Sequence, residues 1–140
     1  GDRSAVLLFH NFYYTRGEDG VDLQTVASTN HLSPEEVIHL HSWAEYTVAM
    51  MGFMPGFVYL SGMDERLATP RLASPRVRIK PGSVGIAGSQ TGIYSIASPG
   101  GWQIIGRTPL VLFDPQCEEP FLFSPGDRVR FVPVPAGGAA

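Results

Sequence analysis

The stretch Arg76–Asp114, RVRIKPGSVGIAGSQTGIYSIASPGGWQIIGRTPLVLFD, decides the fold. Short apolar and β-branched runs (RVRIK, SVGIAG, TGIYSI, WQIIG, LVLFD) alternate with breaks rich in Gly and Pro. Pro fixes φ and removes a donor, whereas Gly permits positive φ or close backbone approach, so each break reads as a turn and each run as a strand. The series continues with PFLF at 120–123 and DRVRFVPV at 127–134. Many short strands in succession predict a mainly β domain, either a closed or nearly closed β-barrel or a sandwich.

Working outward, Ala5 to Tyr14 (AVLLFHNFYY) reads as a first strand and RGEDG, residues 16–20, as a turn. Asp22 is placed to cap a short helix through about Ser28 that buries Leu23, Val26 and Ala27. Ser33, Pro34 and Glu36 supply an N-cap, a proline at the first helical position and a glutamate at the third, a capping box. That helix should run to about Glu45 and bury Val37, Leu40 and Ala44. Tyr46 to Met51 reads as a strand, GFMPGFVYL at 52–60 turns it, and PAGGAA at 135–140 reads as a frayed tail. There is no internal repeat and no sign of a second domain, so residues 1–140 are expected to form one.

Composition sets limits on function. The chain has 140 residues, 44% of them hydrophobic and 16% charged, which suits one folded core and not disorder. A net charge of −3 gives no basic footprint for nucleic acid. Even so, Arg66, Arg71, Arg76, Arg78 and Lys80 gather half of the ten Lys and Arg into one segment. Cys117 is the only cysteine, so no internal disulfide can form, which fits a reducing compartment. No apolar run reaches the roughly 18 residues that span a bilayer, and no secretory signal opens the chain. A cytoplasmic location is the resulting expectation.

Several groups of residues invite a chemical reading. In RVRIK, alternation puts Arg76, Arg78 and Lys80 on one strand face and Val77 and Ile79 on the other, either as a solvated face or as an anion site. Arg71 and Arg76 each follow a proline in the spacing P-R-x-x-x-P-R, which favours the anion site for these two. GSVGIAGSQTG, residues 82–92, lacks the Gly-Lys-Ser/Thr ending and opens no helix, so it is no P-loop. Gln90 and Thr91 at its tip either present an amide and a hydroxyl to a small amide substrate or simply turn a β-hairpin. SPGGW, residues 98–102, either exposes backbone N–H groups to an oxyanion or packs Trp102 beneath a tight turn.

His41 lies one helical turn before Glu45, a pairing that could tune a general base, although a buried structural histidine has the same pattern. His39 and His41 diverge on a helix and no HExxH spacing occurs, so no metal site is expected. There is no G-x-S-x-G elbow, and nothing local marks Cys117 as a nucleophile.

GFMPGFVYL, the paired Pro-Arg steps, PGSVGIAGSQTGIY, SPGGW and IGRTPLVLFDP, in this order between Ser33 and Val132, resemble the allophanate hydrolase subunit 1 family. That family includes a subunit of bacterial 5-oxoprolinase and a sporulation-kinase inhibitor, and the same module forms part of the carboxyltransferase domain of urea carboxylase. The resemblance implies a cyclophilin-like closed β-barrel with one or two short helices near the N-terminus. It also implies partnership with an allophanate hydrolase subunit 2-type protein of related fold. Full-length relatives carry a further N-terminal α/β domain, so this chain corresponds to their C-terminal domain. The chain departs from the family pattern V-P-A-G-S-V at Ile79–Val84 and from its usual proline at Ser95, and the first thirty residues match poorly. His41, Arg71, Arg76, Gln90, Thr91, Tyr94 and Trp102 fall on motif positions and become the pocket candidates.

The leading functional reading is a subunit of an ATP-dependent amide hydrolase, of the 5-oxoprolinase or allophanate hydrolase type, inactive without its partner. Arg71 and Arg76 would hold a carboxylate or a phosphorylated intermediate, Gln90 and Thr91 the amide, and His41 would move protons. ATP would act at the level of the complex, with no cofactor bound by this domain alone. The alternatives are a binding module that restrains a histidine kinase through an exposed apolar patch, or the carboxyltransferase part of a biotin-dependent urea carboxylase. Prolyl isomerisation ranks last, because a fold does not fix a function.

Overall fold

The computed structural model describes residues 7–14, 18–52 and 57–134. Within them lie β1 (Leu7–Tyr14), α1 (Leu23–Thr29), α2 (Pro34–Trp43), β2 (Tyr46–Met51), β3 (Val58–Ser61), β4 (Arg76–Ile79), β5 (Ser83–Ala87), β6 (Gln90–Ile93), β7 (Ser98–Gly100), β8 (Gln103–Arg107) and β9 (Arg128–Val134). Seven strands close a barrel in the order β1-β8-β5-β6-β3-β2-β9. The seam is parallel, β1 running beside β9 from Leu7↔Arg128 to Tyr13↔Val134. β4 and β7 form a separate two-stranded ribbon. The start of the expected first strand, part of RGEDG, residues 53–56 of GFMPGFVYL and the expected tail lie outside the described residues.

Strand alternation sorts the apolar residues into two clusters. Tyr46, Val48, Val58, Leu60, Val84, Ile86, Ile93, Ile105, Val129 and Phe131 form one core, to which the helices add Leu23, Val26, Ala27 and Val37. Phe57, Ile79, Tyr94, Trp102 and Ile104 form the second, with Tyr59 packed against it. Ile104 and Ile105 are neighbours in sequence yet belong to different clusters, so β8 is buried on both sides. Full burial of a large apolar side chain is worth about 1.5–3 kcal/mol, so both clusters contribute to stability.

The capping box at the start of α2 forms as the sequence predicts. Glu36 N–H donates to Ser33 Oγ at 3.1 Å and Ser33 N–H to Glu36 Oε1 at 2.9 Å. α2 stops at Trp43, short of Glu45, because Ala44 turns extended (ψ 148°) and sends Tyr46 into the barrel. Leu40 and Ala44 are only half-buried, and His41 takes the fully buried place.

Asp22 occupies the N-cap of α1 but does not cap it with its side chain. Its carboxylate accepts both arms of the Arg76 guanidinium, at 2.5 and 2.7 Å, and the Ile104 N–H at 2.7 Å. Its own N–H donates to Ile104 O at 2.8 Å, so α1, β4 and β8 meet at one residue.

Two other expectations fail. A register shift between Arg76 and Ile79 breaks the alternation of β4: Ile79 is buried while Val77 is 91% exposed. A bulge of this kind re-aims side chains, so Val77 and Ile79 do not share a face. LVLFD and PFLF form no strands; they meet through the single bridge Phe113↔Phe121, with rings 5.2 Å apart.

Replacing Asp22 by Ala strands a half-buried guanidinium and a buried N–H, which should cost about 3 kcal/mol in denaturant unfolding. Asp22→Asn retains an acceptor for Ile104 and should cost less; equal, near-zero losses for both would contradict the clamp.

Burial lowers the His41 pKa to about 3, so the folded protein holds this ring neutral. The unfolded chain takes up a proton near pH 6.5 that the native state refuses until about pH 3, so the contribution is full above pH 6.5 and falls as the solution becomes more acidic. Between pH 6.5 and 5, unfolding free energy should fall with a slope approaching 1.4 kcal/mol per pH unit more than in His41→Gln. Parallel profiles for the two proteins would refute a neutral buried His41.

Candidate functional site

The site begins with two missing side chains. Gly85 of β5 and Gly92 of β6 face one another in register, leaving a trough on the outer wall of the barrel. A Cβ at Gly85 would sit 2.9 Å from Trp102 Cβ, and one at Gly92 would sit 3.0 Å from the Phe57 ring. Only glycine lets these rings lie so near the strands. Phe57 meets Tyr94 edge-on at 5.0 Å and Trp102 at 5.3 Å, while Tyr59 lies 5.9 Å from Trp102. Such edge-to-face pairs add about 0.5–1.5 kcal/mol each beyond burial. Gly100 of the ribbon approaches the Tyr94 hydroxyl so closely that a Cβ there would collide with it.

Arg71 is held from both sides. Before it, Pro70 O accepts Gln103 Nε2 at 3.0 Å; after it, Leu72 N–H donates to Gly101 O at 2.7 Å. One residue further back, Thr69 and Gly88 exchange two backbone hydrogen bonds, at 3.1 and 2.7 Å. Thus fixed, the guanidinium lies over the Trp102 ring, 5.8 Å from its centroid. Arg71, Tyr59, Tyr94, Trp102, Gly100 and Gly101 line a hollow of about 210 Å³.

The electrostatics suit a small acid. Burial raises the Tyr94 pKa, opposed by the Trp102 backbone and the Arg71 and Arg76 charges, and burial likewise raises that of Tyr59 against Arg71. Both phenols therefore keep their protons at neutral pH; the Tyr94 hydroxyl is enclosed against Gly100, so the half-buried Tyr59 is the one placed to donate into the hollow. A guanidinium fork matches a carboxylate or phosphate edge, and aromatic walls accept the apolar remainder of a small ligand.

Of the seven predicted site residues, the structure gathers Arg71, Tyr94 and Trp102 around this hollow. Arg76 turns to Asp22 instead. Gln90 is exposed on the β5–β6 hairpin, whereas Thr91, its strand neighbour, points into the barrel. Alternation forbids both side chains from serving one face.

His41 and Thr91 form a buried pair of their own. Thr91 Oγ1 donates to Gly85 O at 2.8 Å and so accepts the proton of His41 Nε2 at 3.0 Å. The His41 ring stacks on Phe131 at 4.9 Å and is fully enclosed. Glu45, expected beside it, lies 3.6 Å from Arg128. Trp102 is packed beneath the SPGGW segment, whose first part is strand β7. Gly100 and Gly101 come from the SPGGW segment singled out in the sequence, whereas sequence reasoning missed Tyr59, whose signal was its spacing two residues from Phe57 on an alternating run.

Among the described residues, no group of three or more His, Cys, Asp and Glu is placed to hold a metal ion. No helix among them is long and apolar enough to cross a membrane.

Comparison with known proteins places this geometry in context. The chain is 58% identical over 118 residues to a 5-oxoprolinase subunit of Bacillus subtilis (strain 168), covering 84% of this chain and 49% of that protein. It is 54% identical over 121 residues to the corresponding 5-oxoprolinase subunit of Escherichia coli O157:H7, covering 86% and 56% respectively. A crystal structure of a conserved uncharacterized protein from Pyrococcus horikoshii superposes with a TM-score of 0.89 at 52% identity, over 94% of this chain and 60% of that one. The chain thus spans about half the length of the curated relatives it matches. Residues 12–123 match the family pattern described as carboxyltransferase domain, subdomain C and D, and the chain belongs to that family.

Proposed function

We propose that this chain is the barrel domain of one subunit of an ATP-dependent amide hydrolase of the 5-oxoprolinase type. It would act with a subunit 2-type partner on a small, carboxylate-bearing amide. The observation that carries this reading is the Arg71 guanidinium held over Trp102 beside two protonated phenols in a hollow sized for a small molecule. The names of the relatives at 58% and 54% identity support the substrate class.

In this reading Arg71 grips the carboxylate of 5-oxoproline through its fork, and the flat ring of the substrate lies against the aromatic wall. Tyr59, the less buried of the two phenols, donates to the amide oxygen, drawing electrons from the carbonyl carbon that water attacks, while Tyr94 forms part of the wall. Ring opening then yields glutamate. ATP supplies the driving force at the level of the complex. His41 supports the wall from inside the barrel, through Thr91 and the Gly85 carbonyl behind Trp102.

The test uses the full-length subunit reconstituted with its partner, following ATP hydrolysis dependent on 5-oxoproline, with allophanate and urea in parallel. Arg71→Ala should lower kcat/KM for 5-oxoproline by about 10- to 100-fold, the loss expected for a charge-assisted contact, and Arg71→Lys should fall between. Gln90→Ala, remote from the hollow, should behave as wild type. Unchanged kinetics in Arg71→Ala would remove the hollow from the reaction.

A further inference from the structure

Three other members of the basic segment assemble elsewhere. Arg76, Arg78 and Lys80 surround a second, smaller pocket of about 110 Å³ together with Asp19 and Ser83, over an apolar floor that includes Ile104. It shares no lining residue with the aromatic hollow. We propose that this pocket is a binding site for an oxyanion of the phosphate class. Its ligand does not depend on which amide the complex opens.

Size and charge lead to the same ligand. Pockets for drug-sized ligands occupy roughly 300–1,000 Å³, so this one suits a single small ion. Among the described residues, three cations and one carboxylate line it, on a chain whose net charge is −3. Of the described carboxylates, two nearby already have cationic partners. Asp22 is taken up by both arms of Arg76 and by the Ile104 N–H. Asp19 lies 3.9 Å from Arg107, a fourth cation, whose Nε donates to Pro81 O.

Arg78 is exposed and enters no ion pair among the described residues. Arg76, fixed by Asp22, supplies a rigid wall that loses little freedom when an ion arrives. Arg78 offers the fork that matches two phosphate oxygens, and Lys80 adds a point charge. Free inorganic phosphate and the terminal phosphate of a nucleotide present the same chemistry here.

Binding of inorganic phosphate to the full chain would be measured by calorimetry at about physiological ionic strength, where exposed charges are screened beyond roughly 8 Å. Saturable binding is expected, weakened at least about tenfold by Arg78→Gln combined with Lys80→Gln and unaffected by Arg71→Ala. Both substituted side chains are exposed, so the double variant should keep the wild-type circular dichroism spectrum and remain folded, and Arg78→Lys with Lys80 intact should restore part of the affinity. Competition by ATP that is lost in the same double variant would identify a nucleotide phosphate as the source; binding of phosphate without such competition would identify the free ion. Absence of saturable binding by the wild type, or binding that survives the double substitution, overturns the proposal.

Discussion

The carboxylate of Asp22 joins parts of the chain that have little else in common. It draws a helix start, a ribbon strand and a barrel strand to one point through three charge-assisted or backbone-directed bonds. Burying a carboxylate is costly unless partners compensate, and here both oxygens are occupied. Because Arg76 is tied down, the β4–β7 ribbon keeps a fixed position over the aromatic cluster, with Ile79 packed into it. The hollow around Arg71 therefore depends on a residue that does not line it.

The same clamp divides the positive charge. Two arginines that follow prolines five residues apart are sent to different neighbourhoods, one over an indole and the other into a carboxylate. Tyr94 lies within the field of both, which couples the hollow electrostatically to the second pocket even though the two share no lining residue. On a chain with a net negative charge, such local concentrations give direction to an approaching anion without making the whole surface attractive to polyanions.

Much of the fold was legible in the sequence. Gly and Pro spacing gave most of the strand series, LVLFD and PFLF excepted, while its closure came from the family resemblance, and Ser33 with Glu36 announced α2. What escaped was set by contacts far apart in sequence. Asp22 is 54 residues from Arg76 and 82 from Ile104, so a local rule assigned it a cap and tertiary structure gave it another task. The bulge in β4 broke an alternation that the apolar pattern alone favoured. Within the site, Arg71, Tyr94 and Trp102 came together around one hollow. Gln90 and Thr91 were bound to separate by the period of a strand, and His41 lies inside the barrel, enclosed by Phe131 and Tyr46.

The parallel seam between β1 and β9 has a bearing on how this molecule is made. Among the described residues β1 pairs with β8 at two positions, Tyr13 and Tyr14, whereas β9 matches it along seven. During synthesis β1 must therefore stay largely unsatisfied until β9, the last strand of the barrel, has emerged from the ribosome. Loop-closure entropy grows only slowly with length, so the finished barrel loses little stability to this arrangement. The delay falls on kinetics: non-local pairing folds slowly, and an open edge waiting for its mate can recruit the wrong strand.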